Sequence, residues 1–209
     1  MGGSQGARAL NDVLVRTLPS LLELDPPIQV VHQAGEKNID EVRGTLSVLD
    51  ASNRRYHLRP YFDDMSLAYA VSDLAVCRAG AMTIAELTVV GLPALFIPYP
   101  YAAADHQRHN ALFLKVKGAA EMITQNRLSV QSLRDNILKL LSDGERLRAM
   151  SQAMKSLSHP DAAAHIAARV KRLSLQYLVG RDSGGNGSSA DRNNTDGGAE
   201  EATQSTAPS

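Results

Sequence analysis

Between residues 28 and 123, five short apolar runs alternate with segments of helical period, and that alternation leaves few folds open to the chain. The runs are "IQVVHQ" (28–33), "RYHLRPY" (55–61, ending at Pro60), residues 74–77 within "SDLAVCRAG", "LPALFIP" (92–98) and "AAEMI" (119–123). Several are apolar without a polar alternate, the pattern of strands buried on both faces of a parallel sheet. Ahead of them, Ala7, Leu10, Leu14, Leu18 and Leu21 recur at helical spacing, so Gly6 to Leu24 is one helical region, kinked near Pro19. Further helices are expected over 36–49, over "TIAELTVVG" closed by Gly91, over 105–117, twice within 129–157 with a break near Asp143-Gly144, and over 161–178. The expected class is α/β, a doubly wound parallel sheet.

Composition bounds the rest. A 209-residue chain with 44% hydrophobic residues can bury one sizeable core. From Gly180 onward the chain has no aromatic and almost no aliphatic side chain, too little apolar surface to offset the entropy of ordering it. Residues 1–179 are therefore expected to form one domain and 180–209 a disordered tail. Acidic and basic residues number 22 each, the tail from Arg181 carrying a net −3 and the body +3, so no strong field recommends nucleic acid or an anionic membrane as partner. The single Cys77 excludes an internal disulfide framework, fits a reducing compartment and reads as a small buried apolar residue. No signal peptide is legible, and "GLPALFIPYPY" is too short and too broken by proline to span a bilayer, so membrane contact is expected to be peripheral.

Four stretches could carry chemistry. "GGSQGA" precedes the first helix, where bare N–H groups and the positive helix end can meet an anion; the alternative is plain flexibility at a glycine-rich start. In "CRAGAMTIAEL" (77–87), Thr83 and Glu86 stand three apart, which reads either as a capping box or as a ligand site. In the second reading Ala81, Met82 and Thr83 offer donors to a diphosphate, and Glu86, one turn on, accepts from vicinal ribose hydroxyls. "DHQRHNA" places His106, Gln107 and Asn110 at a helix start beyond a strand, either as a solvated face with Asp105 as N-cap or as a sugar-binding set. "FDDM" (62–65) has adjacent Asp63 and Asp64, better suited to capping the next helix than to joint metal coordination. His106 and His109 lack a third ligand nearby, so a metal site is not expected, and no Ser-His-Asp or Cys-His arrangement is legible.

In this order, "GGSQGA", "HQAG", "FDDM", "CRAGAMTIAE", "GLPALFIPYP" and "DHQRHNA" closely resemble the C-terminal domain of the MurG family, over about residues 2 to 175. Those bacterial enzymes add N-acetylglucosamine to lipid I, giving lipid II for peptidoglycan. The resemblance implies the Rossmann-like C-terminal half of a GT-B glycosyltransferase, binding the donor UDP-N-acetylglucosamine. It implies Ser4 and Gln5 near the diphosphate and sugar, the backbone of Phe62 against uracil, and Arg78, Ala81 and Met82 lining the nucleotide pocket. Thr83 would contact phosphate, Glu86 the ribose, and His106, Gln107 and Asn110 the sugar.

The implied reaction is an inverting transfer without cofactor or divalent cation, the leaving charge being met by helix N-termini and backbone donors. In the family a strand precedes the glycine loop, and an N-terminal domain with the acceptor site, the expected catalytic base and a membrane-docking patch precedes that strand. This sequence is thus expected to be the donor half, with little or no turnover alone. The complete enzyme would sit on the cytoplasmic face of the bacterial inner membrane. A second reading is a non-catalytic nucleotide-sugar-binding subunit serving a separate acceptor-binding chain.

Overall fold

The structure, a computed structural model, describes residues 7–46 and 54–182. The described elements run α1 (Arg8–Leu22), β1 (Val30–Gln33), α2 (Ile39–Leu46), β2 (Tyr56–Arg59), α3 (Met65–Ala70), β3 (Ala75–Cys77) and α4 (Ala81–Val90). They continue with β4 (Ala94–Phe96), a 3-10 turn (Ala103–Asp105), α5 (His106–Val116), β5 (Ala120–Met122), a second 3-10 turn (Gln125–Arg127), α6 (Val130–Leu141), α7 (Gly144–Ser156) and α8 (Ala162–Asp182). Each of the five apolar runs contains a strand, and α1 runs through Pro19 as a single helix. The helix expected over 36–49 is described only to Leu46; residues 47–49, like "GGSQG", lie outside the described part.

Every strand pairing is parallel, as the unalternating runs required. Among the described residues the strands form two sheets, β1–β2 and β3–β4–β5, instead of the single sheet expected. Helix α1 packs on both: Val15 joins a cluster with Ala34, Ile39 and Val42, while Leu10, Val13 and Leu21 join Leu95 and Ile97.

The side-chain period of two explains why "LPALFIP" contains no polar residue. Ala94 and Phe96 enter a core with Leu87, Leu114 and Met154, whereas Leu95 and Ile97 enter the opposite core with Leu133, Ile137 and Leu140. All four β4-region side chains are fully buried, so a polar substitution on either face would leave an unpaired group in a core. β3 divides in the same way, with Ala75 and Cys77 on the first face and Val76 on the second. Helices α3, α4 and α5 thus cover one face of this sheet and α1 and α6 the other, the doubly wound arrangement.

Helix ends follow local chemistry. Gly91, in the left-handed region at φ 75°, closes α4, its N–H and that of Leu92 both donating to Leu87 O. Gly118 at φ 73° does the same after α5. Asp143 caps α7 by accepting from Arg146 N, and Ser129 and Ser132 form a reciprocal capping box at α6.

The chain divides into two compact units, residues 1–160 and 161–209. In the second, α8 carries Ile166, Val170, Leu173 and Tyr177, all exposed, at three- and four-residue spacing. Among the described residues no helix is long and apolar enough to cross a membrane.

Candidate functional site

The carboxyl ends of β3 and β4 bring two of the candidate stretches together. β3 ends at Cys77, the chain turns through Arg78, Ala79 and Gly80, and α4 starts at Ala81. Gly80 is the N-cap in an extended conformation (φ −70°, ψ 147°), and no side chain caps the helix. The first intrahelical bond is Ile84 N to Gly80 O, so the N–H groups of Ala81, Met82 and Thr83 head the helix without an intrahelical acceptor. Three such donors and the positive helix end, at the carboxyl end of a parallel strand, are an arrangement that can receive an anion. Met82 is 74% exposed there.

The capping-box reading of Thr83 and Glu86 is not realised. Because glycine opens the helix at Gly80, Thr83 is already inside the first turn and Glu86 lies in the second, beyond reach of the N-cap. The Glu86 carboxylate instead accepts a 2.7 Å hydrogen bond from the Tyr69 hydroxyl of α3. It remains exposed, one turn beyond the α4 N-terminus.

Arg78 is not a loose cation. Its Nη1 donates to Ile97 O (2.9 Å) and Pro98 O (3.1 Å), its Nη2 to Gln125 Oε1 (2.7 Å), and its guanidinium lies 5.5 Å from the Tyr99 ring centre. Partial burial pulls its pKa below the ordinary value. The side chain ties the end of β3 to the residues that follow β4 and to the turn after β5.

Beyond β4, the chain enters α5 through two consecutive non-glycine residues in the left-handed region, Ala104 (φ 48°) and Asp105 (φ 53°). Asp105 stands at the N-cap position, but in that conformation its side chain does not cap; it pairs with Arg108 instead. Left-handed geometry at such residues costs on the order of 1 kcal/mol each and concentrates at functional sites.

The turn presents three half-engaged polar side chains. His106 Nδ1 donates to Ala103 O (2.8 Å), which leaves Nε2 as an acceptor. Gln107 Oε1 accepts from Tyr99 N (3.0 Å), leaving its amide NH2 to donate. Asn110 Nδ2 donates to Ala79 O (3.2 Å), leaving Oδ1 to accept. Asn110 thereby joins the α5 stretch to the β3–α4 loop. Donors and acceptors set side by side suit hydroxyl groups, which both donate and accept.

Phe62 follows β2. Its N–H donates to Gln33 Oε1 at 3.3 Å, a weak bond from the "HQAG" stretch. Asp64, not Asp63, caps α3, accepting from Ser66 N (2.9 Å) and Ser66 Oγ (2.5 Å). Ser4 and Gln5 lie outside the described residues. Sequence reasoning missed Tyr69, Gln33 and Gln125, each identified only by the tertiary partner it meets.

Residues 1–166 match the family described as the glycosyltransferase family 28 C-terminal domain. Relatives named UDP-N-acetylglucosamine--N-acetylmuramyl-(pentapeptide) pyrophosphoryl-undecaprenol N-acetylglucosamine transferase include one from Chlorobaculum tepidum, 42% identical over 173 residues, 83% of this chain and 46% of the relative. Another, from Burkholderia thailandensis, is 45% identical over 168 residues, 80% of this chain and 45% of the relative. Among solved structures, Acinetobacter baumannii MurG superposes with a TM-score of 0.72 at 32% identity, covering 82% of this chain and 48% of that one. The chain spans about half the length of the curated relatives it matches.

Proposed function

The chain belongs to the family of glycosyltransferase family 28 C-terminal domains, and on that basis we propose that it is the donor-binding half of an enzyme that transfers N-acetylglucosamine from UDP-N-acetylglucosamine to lipid I, forming lipid II. The observation that carries this reading is the uncapped N-terminus of α4 at the carboxyl end of β3, with Glu86 one turn on.

In this reading the N–H groups of Ala81, Met82 and Thr83 and the Thr83 hydroxyl receive the diphosphate, with Ser4 and Gln5 beside it. Glu86 accepts the ribose hydroxyls, the Phe62 backbone meets the uracil after displacing Gln33, and Arg78 holds the pocket floor. His106 Nε2, the Gln107 amide and Asn110 Oδ1 read the hydroxyls of the sugar. Residues 1–179 act as the donor domain and 180–209 as an appended tail.

The acceptor's C4 hydroxyl attacks the anomeric carbon, the bond to the β-phosphate oxygen breaks, and the configuration inverts. The hydroxyl proton passes to a base in the acceptor-binding half, and UDP leaves. Negative charge growing on the leaving phosphate faces the α4 N-terminus, whose dipoles are oriented before the reaction begins. Acceptor binding, turnover and attachment to the cytoplasmic face of the inner membrane belong to the complete enzyme.

The test is calorimetric titration of the chain with UDP-N-acetylglucosamine, with UDP-glucose as control. Saturable binding that prefers the N-acetylglucosamine donor is expected. A folded chain that binds neither, or both alike, refutes the assignment.

A further inference from the structure

We propose that Tyr69 is the positioning residue of the donor site: its hydroxyl holds the Glu86 carboxylate in the orientation that receives the ribose diol. The proposal rests on Glu86 being the ribose acceptor, as inferred above.

Glu86 is an exposed helical side chain, and a free glutamate of this kind populates many rotamers, so fixing it costs side-chain entropy. Tyr69 removes much of that freedom before a ligand arrives. Its ring is only 7% exposed and packs in the core with Leu87 and Ala75, so the hydroxyl has a rigid base. From there it donates to Glu86 Oε2 at 2.7 Å. Both residues line an open groove of about 460 Å³ between α3 and α4, together with Met65, Ala85, Val89 and Val90. A hydrogen bond to an ionised carboxylate is stronger than one between neutral groups. Burial, and then the carboxylate itself, push the phenol above its ordinary pKa, so it stays a donor.

A carboxylate has about four acceptor positions, and Tyr69 takes one of them on Oε2. Oε1 and the remaining lone pair of Oε2 are left side by side, the spacing at which two vicinal hydroxyls can both donate. The "FDDM" stretch acquires a role in this arrangement. Asp64 fixes the first turn of α3 through Ser66, and Tyr69 follows on the same short helix, so the cap sets where the phenol stands.

The experiment compares UDP with 2′,3′-dideoxy-UDP on the full chain, as wild type, Tyr69→Phe, Glu86→Gln and the double variant, with thermal unfolding measured in parallel. Wild type is expected to prefer UDP. Tyr69→Phe should weaken UDP by about three- to tenfold, the worth of one hydrogen bond, while leaving the dideoxy nucleotide unchanged. In the Glu86→Gln background, the same change should cost nothing further.

Equal weakening of both nucleotides by Tyr69→Phe, or none, overturns the positioning role while leaving the ribose assignment intact. A wild-type chain that binds UDP and its dideoxy analogue alike removes the ribose assignment and the proposal with it. A chain that binds neither removes both as well.

Discussion

Acidification should destabilise this protein through one imidazole. His32 is buried in β1 at 2% exposure, and its proton can be placed from its neighbours. Asn11 Nδ2 donates to Ala34 O (2.9 Å), so Asn11 Oδ1 is what faces His32 Nε2 at 3.0 Å. Nε2 therefore carries the hydrogen, and Nδ1 accepts from the Tyr56 hydroxyl at 2.7 Å. The ring is neutral, and adding a proton at Nδ1 would put a charge in the core and turn the Tyr56 hydroxyl from donor to acceptor. Burial accordingly lowers the His32 pKa from 6.5 to about 3.

The unfolded chain takes up this proton as pH falls through about 6.5 and the native chain only near 3, so stability is full above 6.5 and lost as pH falls through that window. At about 1.4 kcal/mol per unit, moving from pH 7.5 to 5.0 removes about 2 kcal/mol. That is a large share of a stability that is typically about 5–15 kcal/mol for a domain.

Urea unfolding at pH 7.5, 6.0 and 5.0, for wild type and His32→Gln, isolates the contribution. The variant should be weaker at pH 7.5 but show a pH dependence shallower by about 2 kcal/mol over the range. A nitrogen-detected titration should find the His32 ring neutral, with hydrogen on Nε2, at pH 5. Equal pH dependence in the two proteins, or a ring that protonates near pH 6, would refute the reasoning.

Gly91→Ala should lower stability by about 1–2 kcal/mol by thermal unfolding, since φ is 75° and the new Cβ would collide with the Lys155 side chain. That side chain is flexible, so the backbone term should dominate, and unchanged stability would contradict it. Glu121 on β5 pairs with Lys115 of α5 (2.9 Å) and with Arg146 of α7, and is mostly buried. Glu121→Gln should cost about 1.5–3 kcal/mol in denaturant unfolding, and a much smaller loss would mean that solvent screens the pair. Arg78→Lys cannot reach Ile97 O, Pro98 O and Gln125 together, so it should weaken donor binding through a loosened floor although the charge is kept. Wild-type affinity in that variant would show that the charge alone suffices.

Much of this architecture could be read from residue order, because the relevant physics is local. Unalternating runs such as "LPALFIP" required a two-faced parallel sheet, Gly91 closes α4 where a left-handed residue was needed, and Asp143-Gly144 separates α6 from α7. The same locality placed Ala81, Met82 and Thr83 at a helix start and Asn110 early in α5.

Long-range contact decided the rest. Glycine at position 80 started α4 early enough to take Glu86 out of capping range and give it to Tyr69, 17 residues back on another helix. One of the two readings of "DHQRHNA" has Asp105 capping α5, but the left-handed turn at Ala104 and Asp105 directs its side chain to Arg108. The family resemblance implies that Arg78 lines the nucleotide pocket, and only the folded positions of Ile97, Pro98 and Gln125 make it a structural tie. Periodicity and capping act within one or two turns of chain and can be read from order alone; the partner of a hydroxyl, carboxylate or guanidinium is chosen by geometry that packing alone supplies.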